Sequence, residues 1–243
     1  MALPTLRHGV TECFLENRLK LRVSVTLCWD SSPNYDVDDG MISNIQEQFG
    51  GIDIYLFDQL LRGRMTPGMS VMDAGCGGGR NLAYFLRSGY EVFATDADAS
   101  SIEAVRRLAA ALAPHLPATN FRVEPVERST LHDAFADVVI SSAVLHFARD
   151  GRHFDSMVRE MWRLVKPGGM LFCRLASNIG MESRMVPVGD GRFLLPDGSE
   201  RYLVDQERLM HLTRALGGTL LDPLKTTVVQ DQRCMTTWVI GKS

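Results

Sequence analysis

No apolar stretch of the chain approaches the ~18 residues that a membrane-crossing helix needs, so no spanning segment is expected. Cysteine is sparse and ungrouped. Cys13, Cys28, Cys76, Cys173 and Cys234 form no CxxC pair and no Cys/His cluster, which argues against a disulfide framework and against a zinc site. His115, His132 and His153 have no metal-ligand spacing either, so no metal is expected. An excess of one charge is also missing. The 26 Lys and Arg face 29 Asp and Glu for a net charge of −3, which leaves no electrostatic footprint for nucleic acid. The N-terminus carries no clear signal peptide, because Arg22 interrupts the partly apolar run from Leu21 to Trp29. A reducing, cytoplasmic setting is the simple expectation.

What is present is enough apolar material for one sizeable core: 243 residues, 45% of them hydrophobic. Residues 1–40 lack periodicity and end in the polar stretch Asp30 to Gly40, so they read as a poorly packed extension, with Met41 the expected natural start. Residues 41–243 read as the working domain. Apolar residues at helical spacing (Ile45, Phe49, Ile52, Leu56, Leu60) predict two helices broken at Gly50-Gly51. Strands then alternate with helices: Ser70–Asp73, Glu91–Thr95, Asn120–Glu124, Ala136–Ser141 and Met170–Leu175, with helices at 81–87, 100–112 and 154–165. Such alternation predicts an α/β fold, a doubly wound parallel sheet with helices on both faces. Pro196-Asp197-Gly198 predicts a hairpin inserted at about 177–204. A helix at 205–216 follows, then two closely linked and therefore antiparallel strands, about 220–229 and 233–240.

The strongest signal is Val71-Met-Asp-Ala-Gly-Cys-Gly-Gly-Gly-Arg-Asn81, a strand entering a glycine-rich turn that opens a helix. A nicotinamide-binding loop would read GxGxxG, but Arg80 stands at its third glycine. Asp73 also disfavours the pyrophosphate of a dinucleotide. S-adenosylmethionine (SAM) brings an ammonium and a sulfonium instead, and a carboxylate beside the loop suits both. Asp96, closing the second strand, is placed to accept from ribose hydroxyls.

Asp73-Ala-Gly-Cys-Gly-Gly-Gly79, Thr95-Asp96, Asp137-Val-Val-Ile-Ser-Ser-Ala-Val-Leu-His146 and Leu164-Val-Lys-Pro-Gly-Gly169 together resemble four successive motifs of class I SAM-dependent methyltransferases. The nearest group is the quinone-biosynthesis and tellurite-resistance type acting on small molecules. The likeness covers about residues 50–176 closely. It implies a Rossmann-like seven-stranded sheet, order 3-2-1-4-5-7-6 with strand seven antiparallel. By position it implies Asp73, Gly75, Cys76 and Gly77 around the methionine portion of SAM, and Asp96 on the ribose. Ala97 would lie beside the adenine, the Val126 amide would meet its ring, and the Ser141 carbonyl would meet the ammonium. Many relatives have Asp where this chain has Pro125; Glu127 is the candidate replacement.

Methyl transfer from a sulfonium is an in-line displacement, so alignment and water exclusion can supply much of the catalysis. His146, just beyond strand four, is the candidate general base or hydrogen-bond partner. Arg174 in strand five and Tyr55 on the preceding helix are candidate acceptor-binding residues. The hairpin's Phe193, Leu194 and Tyr202 are candidates to face an apolar acceptor. No Pro-Cys dipeptide occurs, which argues against cysteine-nucleophile methylation. The Asn/Asp-Pro-Pro-aromatic motif of many nucleic-acid and protein methyltransferases is also missing. The expectation is a small-molecule methyltransferase, monomeric or homodimeric. The alternatives are action on RNA or protein, a nucleotide-dependent oxidoreductase, or a non-catalytic SAM-binding protein.

Overall fold

The structure, a computed structural model, describes residues 45–243. The expected extension at 1–40 and the expected start at Met41 lie outside the described residues. Residues 45–49 are helical, Gly50 turns the chain at φ +60°, and α1 (Ile54–Leu61) follows. Strands and helices then alternate: β1 (Ser70–Ala74), α2 (Ala83–Arg87), β2 (Glu91–Asp96), α3 (Ala99–Leu112), β3 (Phe121–Val123), β4 (Ala136–Ser142), α4 (Gly151–Leu164) and β5 (Val165–Ala176).

The main sheet runs β3-β2-β1-β4-β5-β11, with β11 (Arg233–Lys242) antiparallel to β5 and the earlier strands mutually parallel. This is the expected doubly wound order. Along each strand, alternate side chains enter opposite faces. Val71, Val92, Val138 and Ile140 pack on one side with Leu56 of α1, Phe85 of α2, and Ile102 and Val105 of α3. Met72, Val139, Leu171 and Cys173 pack on the other with Phe154, Met161 and Trp162 of α4 and Leu209 of α5 (Gln206–Ala215). Each fully buried side chain of this size contributes roughly 1.5–3 kcal/mol, so the two-sided burial holds the sheet rigid.

The outer edge departs from the sequence expectation. The strand expected at 220–229 is two short strands, β9 (Gly218–Leu220) and β10 (Lys225–Val229), pairing with different stretches of β11. Pro223 has no amide to give to a ladder, and Asp222 turns inward instead. Its carboxylate accepts from Arg64 Nη1 at 2.7 Å and Gln59 Nε2 at 3.0 Å, tying the kink to α1 and the turn after it. The insert is likewise larger than one hairpin. β6 (Val186–Gly189), β7 (Arg192–Leu194) and β8 (Glu200–Tyr202) form a three-stranded meander, with the Pro-Asp-Gly turn between the last two. Tyr202 does not face outward. It is buried, stacked on Phe154 at 4.9 Å between ring centroids, because the meander packs down onto α4. Phe193 packs into a satellite core with Met181, Met185 and Leu203, and Leu194 is left exposed.

Asp222→Ala strips a buried carboxylate from Arg64 and Gln59 and is expected to cost about 2–4 kcal/mol in urea unfolding at pH 7. Burial raises the Asp222 carboxyl, but the hydrogen bonds from Arg64 and Gln59 and the charges of Arg64 and Arg62 outweigh that and hold it below its usual range. Its folded value lies below its unfolded one, so its contribution is full above pH ~4 and fades as pH falls further. The mutant and the parent should therefore converge in strong acid.

Candidate active site

The first strand ends where two successive amides, Gly75 and Cys76, donate to the one carbonyl of Thr95 at 2.8 and 3.0 Å. The chain can make that turn because Gly75 sits at φ +78°. A Cβ there would lie 2.6 Å from Val144 Cγ2. Gly79, at φ +83°, serves packing, since a Cβ on it would come 3.1 Å from Val105 Cγ2 and 3.2 Å from Leu108 Cδ2 on α3. Gly77, at φ +50°, faces open space.

That space is a cavity of about 550 Å³ over the carboxyl ends of β1, β2 and β4. Of the residues singled out from sequence, Gly75, Cys76, Gly77, Asp96, Ala97, Val126 and Glu127 line it. Asp96 closes the floor: its Oδ2 accepts from the Gly77 amide at 2.8 Å and its Oδ1 from the Asp98 amide at 2.9 Å. Two others stand behind the wall. Ser141 is fully buried in β4, and Ser142 and Ala143 form the rim in its place, because the strand runs one residue further than its sequence suggests. Ala143 holds φ +65°, a left-handed conformation that costs a non-glycine residue about 1–3 kcal/mol, with its amide donating to the Arg174 carbonyl at 2.8 Å.

Asp73 lies beneath the loop, 1% exposed, and neither carboxylate oxygen has a partner among the described residues. Burial pushes its carboxyl up to about 7; the charge of Arg80 opposes this and that of Asp96 adds to it. The thiol of Cys76 is pushed up as well, by burial and by the charges of Asp73 and Asp96, which keeps it protonated and unreactive.

His146 is not on the cavity wall. It sits in a short 3-10 turn, Leu145–Phe147, 7% exposed, with Nδ1 lacking a partner among the described residues. Burial, with the charge of Arg201, lowers its pKa to about 4, so it is neutral and a weak base at pH 7. His153 does line the cavity, although its sequence position gave no sign of it. Its Nδ1 accepts from the Arg149 amide at 3.1 Å, and its Nε2 lies 3.1 Å from Glu127 Oε1.

Tyr55 and Arg174 come together beside the cavity, the Arg174 guanidinium lying 4.4 Å from the Tyr55 ring centroid. Between them and the glycine loop is Asp53, which sequence reading missed because an Asp before a helix looks like a plain cap. It is one: its Oδ1 accepts from the Tyr55 amide at 2.9 Å. Its Oδ2, however, lies 3.3 Å from Arg174 Nε and 3.7 Å from Arg80 Nη2. Arg80 also donates to Ser142 Oγ at 2.9 Å and lines the cavity. Its position immediately after the glycine motif was the available signal.

Residues 72–173 match a family described as "Methyltransferase domain". A ubiquinone biosynthesis O-methyltransferase of Mesorhizobium japonicum is 28% identical over 183 residues, covering 74% of this chain and 70% of that protein. Across five relatives, three of them ubiquinone biosynthesis O-methyltransferases, the chain spans 42–70% of their own length. Among solved structures, a 1,6-didemethyltoxoflavin N1-methyltransferase of Burkholderia thailandensis, with its acceptor and S-adenosylhomocysteine bound, aligns with a TM-score of 0.61 at 17% identity, over 84% of this chain and 83% of that one. The [4+2]-cyclase SpnF aligns equally well, TM-score 0.61 at 16% identity over 77% and 80%, so this level of likeness speaks for fold alone. Sheet order, glycine loop and the matched domain together define the class. They are those of class I SAM-dependent methyltransferases, and SAM is the cofactor the cavity has to fit.

The residues present do fit it. The unpartnered Asp73 carboxyl beneath the loop suits a cationic ligand and disfavours a pyrophosphate. Asp96, at the cavity floor, retains lone pairs for ribose hydroxyls. A carboxyl that ionises near 3.8 in the unfolded chain and near 7 in the folded one makes the folded protein lose stability as pH rises between those values. Cation binding reverses this by favouring the ionised form. SAM affinity is therefore expected to increase between pH 6 and pH 8, with proton release on binding near pH 6.5 detected by calorimetry in two buffers of different ionisation enthalpy. Asp73→Asn should abolish the proton release and flatten the pH dependence.

Proposed function

We propose that the protein transfers a methyl group from SAM to an oxygen of a small-molecule acceptor. The buried, unpartnered carboxyl of Asp73 under a glycine loop that opens on the cavity is the observation that carries the reading. In it, the backbone of Gly75–Gly77 and the side chain of Arg80 hold the amino-acid end of the cofactor, and Asp96 holds its ribose. Ala97, Val126 and Glu127 border the adenine. When bound, SAM supplies an electrophilic methyl on a positively charged sulfur.

The protein's own contribution is mostly alignment and exclusion of water, which together can lower a displacement barrier by several kcal/mol. Arg80 is held against Ser142 and Asp53, so the amino-acid end is clamped at a fixed distance from the rim. The strained Ala143 at that rim is pinned through its amide to the carbonyl of Arg174, next to Tyr55. Neither the lowered basicity of His146 nor its place off the wall suits the removal of a hydroxyl proton. The reading therefore favours an acceptor that ionises readily, such as a phenol, over an aliphatic alcohol. The O-methyltransferase names of the relatives from Mesorhizobium japonicum and, for malonyl-[acyl-carrier protein], from Serratia marcescens support oxygen as the receiving atom. The near-balanced charge favours a small molecule over RNA.

Calorimetry with SAM and with NADH tests the cofactor side. SAM is expected to bind at micromolar concentration and NADH not at all, and Asp96→Ala should weaken SAM by about 1–3 kcal/mol. Binding of NADH, or SAM binding indifferent to Asp96, would sink the reading. Release of S-adenosylhomocysteine with a panel of phenols separates an enzyme from a protein that only holds SAM.

A further inference from the structure

Two guanidiniums, Arg80 and Arg174, share the single carboxylate oxygen Asp53 Oδ2. Asp53, Arg80 and Arg174 by themselves carry one net positive charge, and the further acid that Arg80 faces, Asp73, lies on the cofactor-cavity side. Arg80 has a use, since it reaches the cofactor cavity; Arg174 does not line that cavity. It is nevertheless nearly enclosed, its side chain only 13% exposed. Its bonds are few and long. Nε is 3.3 Å from Asp53, and Nη1 lies 3.5 Å from the Met235 carbonyl and 3.4 Å from Thr237 Oγ1. Among the described residues, no group accepts from Nη2. The guanidinium cannot shed its charge, and its Nη2, which is not among the buried unpartnered atoms, reaches solvent and is free to donate to an anion.

Arg174 is also held still. Tyr55 supports one face of the guanidinium, and the Tyr55 hydroxyl is anchored 2.6 Å from Thr227 Oγ1 on β10. Its strand position pairs it with Ser142, the residue at the cavity rim that receives the Arg80 hydrogen bond. The anion would therefore sit one residue beyond the cofactor cavity, where an acceptor must lie to meet the methyl group.

Resting on the methyltransferase reading above, we propose that Arg174, braced by Tyr55 and Asp53, is the specificity-determining residue for an acceptor that bears a carboxylate as well as its reacting hydroxyl. Planar guanidinium recognition of a carboxylate fixes orientation as well as affinity, so the same contact aligns the hydroxyl for displacement. The one other carboxylate at hand is that of SAM, and the test separates the two sources.

The test uses the full chain and matched pairs of acceptors, hydroxybenzoates and dihydroxybenzoates against their uncharged amides, with S-adenosylhomocysteine release as the readout and SAM affinity measured in parallel. Acids are expected to exceed their amides at least tenfold in kcat/KM. Arg174→Gln should erase that preference while leaving SAM affinity within twofold, and Arg174→Lys should restore part of it, mainly through KM. The Lys variant also keeps the test alive should the Gln variant fold poorly. Equal turnover of acids and amides overturns the proposal, as does turnover of neither by a protein that binds SAM. A SAM affinity that collapses with Arg174→Gln assigns the guanidinium to the cofactor's own carboxylate and overturns it too. Failure of the unmodified protein to bind SAM strikes the underlying methyltransferase reading instead, and is seen separately in the parallel titration.

Discussion

The carbonyl of Thr95, receiving two amides at once, is the contact from which the rest of the site is built. It ties the turn after β1 to the end of β2, and so puts Gly77 within reach of Asp96. Without that pin the loop would have no reason to arch over Asp73, and the carboxyl would solvate. The glycines make the pin possible, but each for a separate reason: Gly75 for its approach to Val144, Gly79 for its approach to α3, Gly77 for the space it leaves. One local turn thereby sets a floor, a rim and a buried charge at the point where the sheet changes winding direction.

Electrostatics divides the site into two halves. Under the loop the acids dominate: Asp73 without a partner, Asp96 close enough to raise it, and Arg80 as the nearest relief. Beyond Ser142 the balance turns positive, because Asp53 is one carboxylate between two guanidiniums. Arg80 belongs to both halves. A cationic ligand on one side and an anionic one on the other would each lower the cost that its neighbour imposes, so occupation of the two halves is expected to be mutually favourable.

The sheet order and most of the cavity lining were legible in the sequence because short-range constraints write them. Turns at positive φ demand glycine, and strands buried on both faces demand continuous apolar runs. The cluster beyond Ser142 was only half legible. Tyr55 and Arg174 could be singled out, but their meeting across 119 positions of chain depends on how α1 docks against β5, which no local pattern encodes. Asp53 was hidden by its capping role, and His153 by a helix start that any cap could produce. The split of the last strands at Asp222-Pro223 was only partly legible: Pro223 marks the break, but the inward turn of Asp222 depends on an ion pair with the distant Arg64.

His146 marks the boundary of what motif position can say. Its place just past β4 is where a base would be useful, yet the 3-10 turn rotates it away from the cavity, into contact with the meander side that carries Arg201. Packing then suppresses its charge. A residue so treated contributes shape, not proton transfer, and the reaction must draw its driving force from elsewhere. In the proposed reaction the sulfonium leaving group would supply that force, and a phenol near ionisation would need little help from the protein. What would remain for the protein in the proposed reaction is to hold cofactor and acceptor in line, a task that two arginines sharing one aspartate oxygen are suited to.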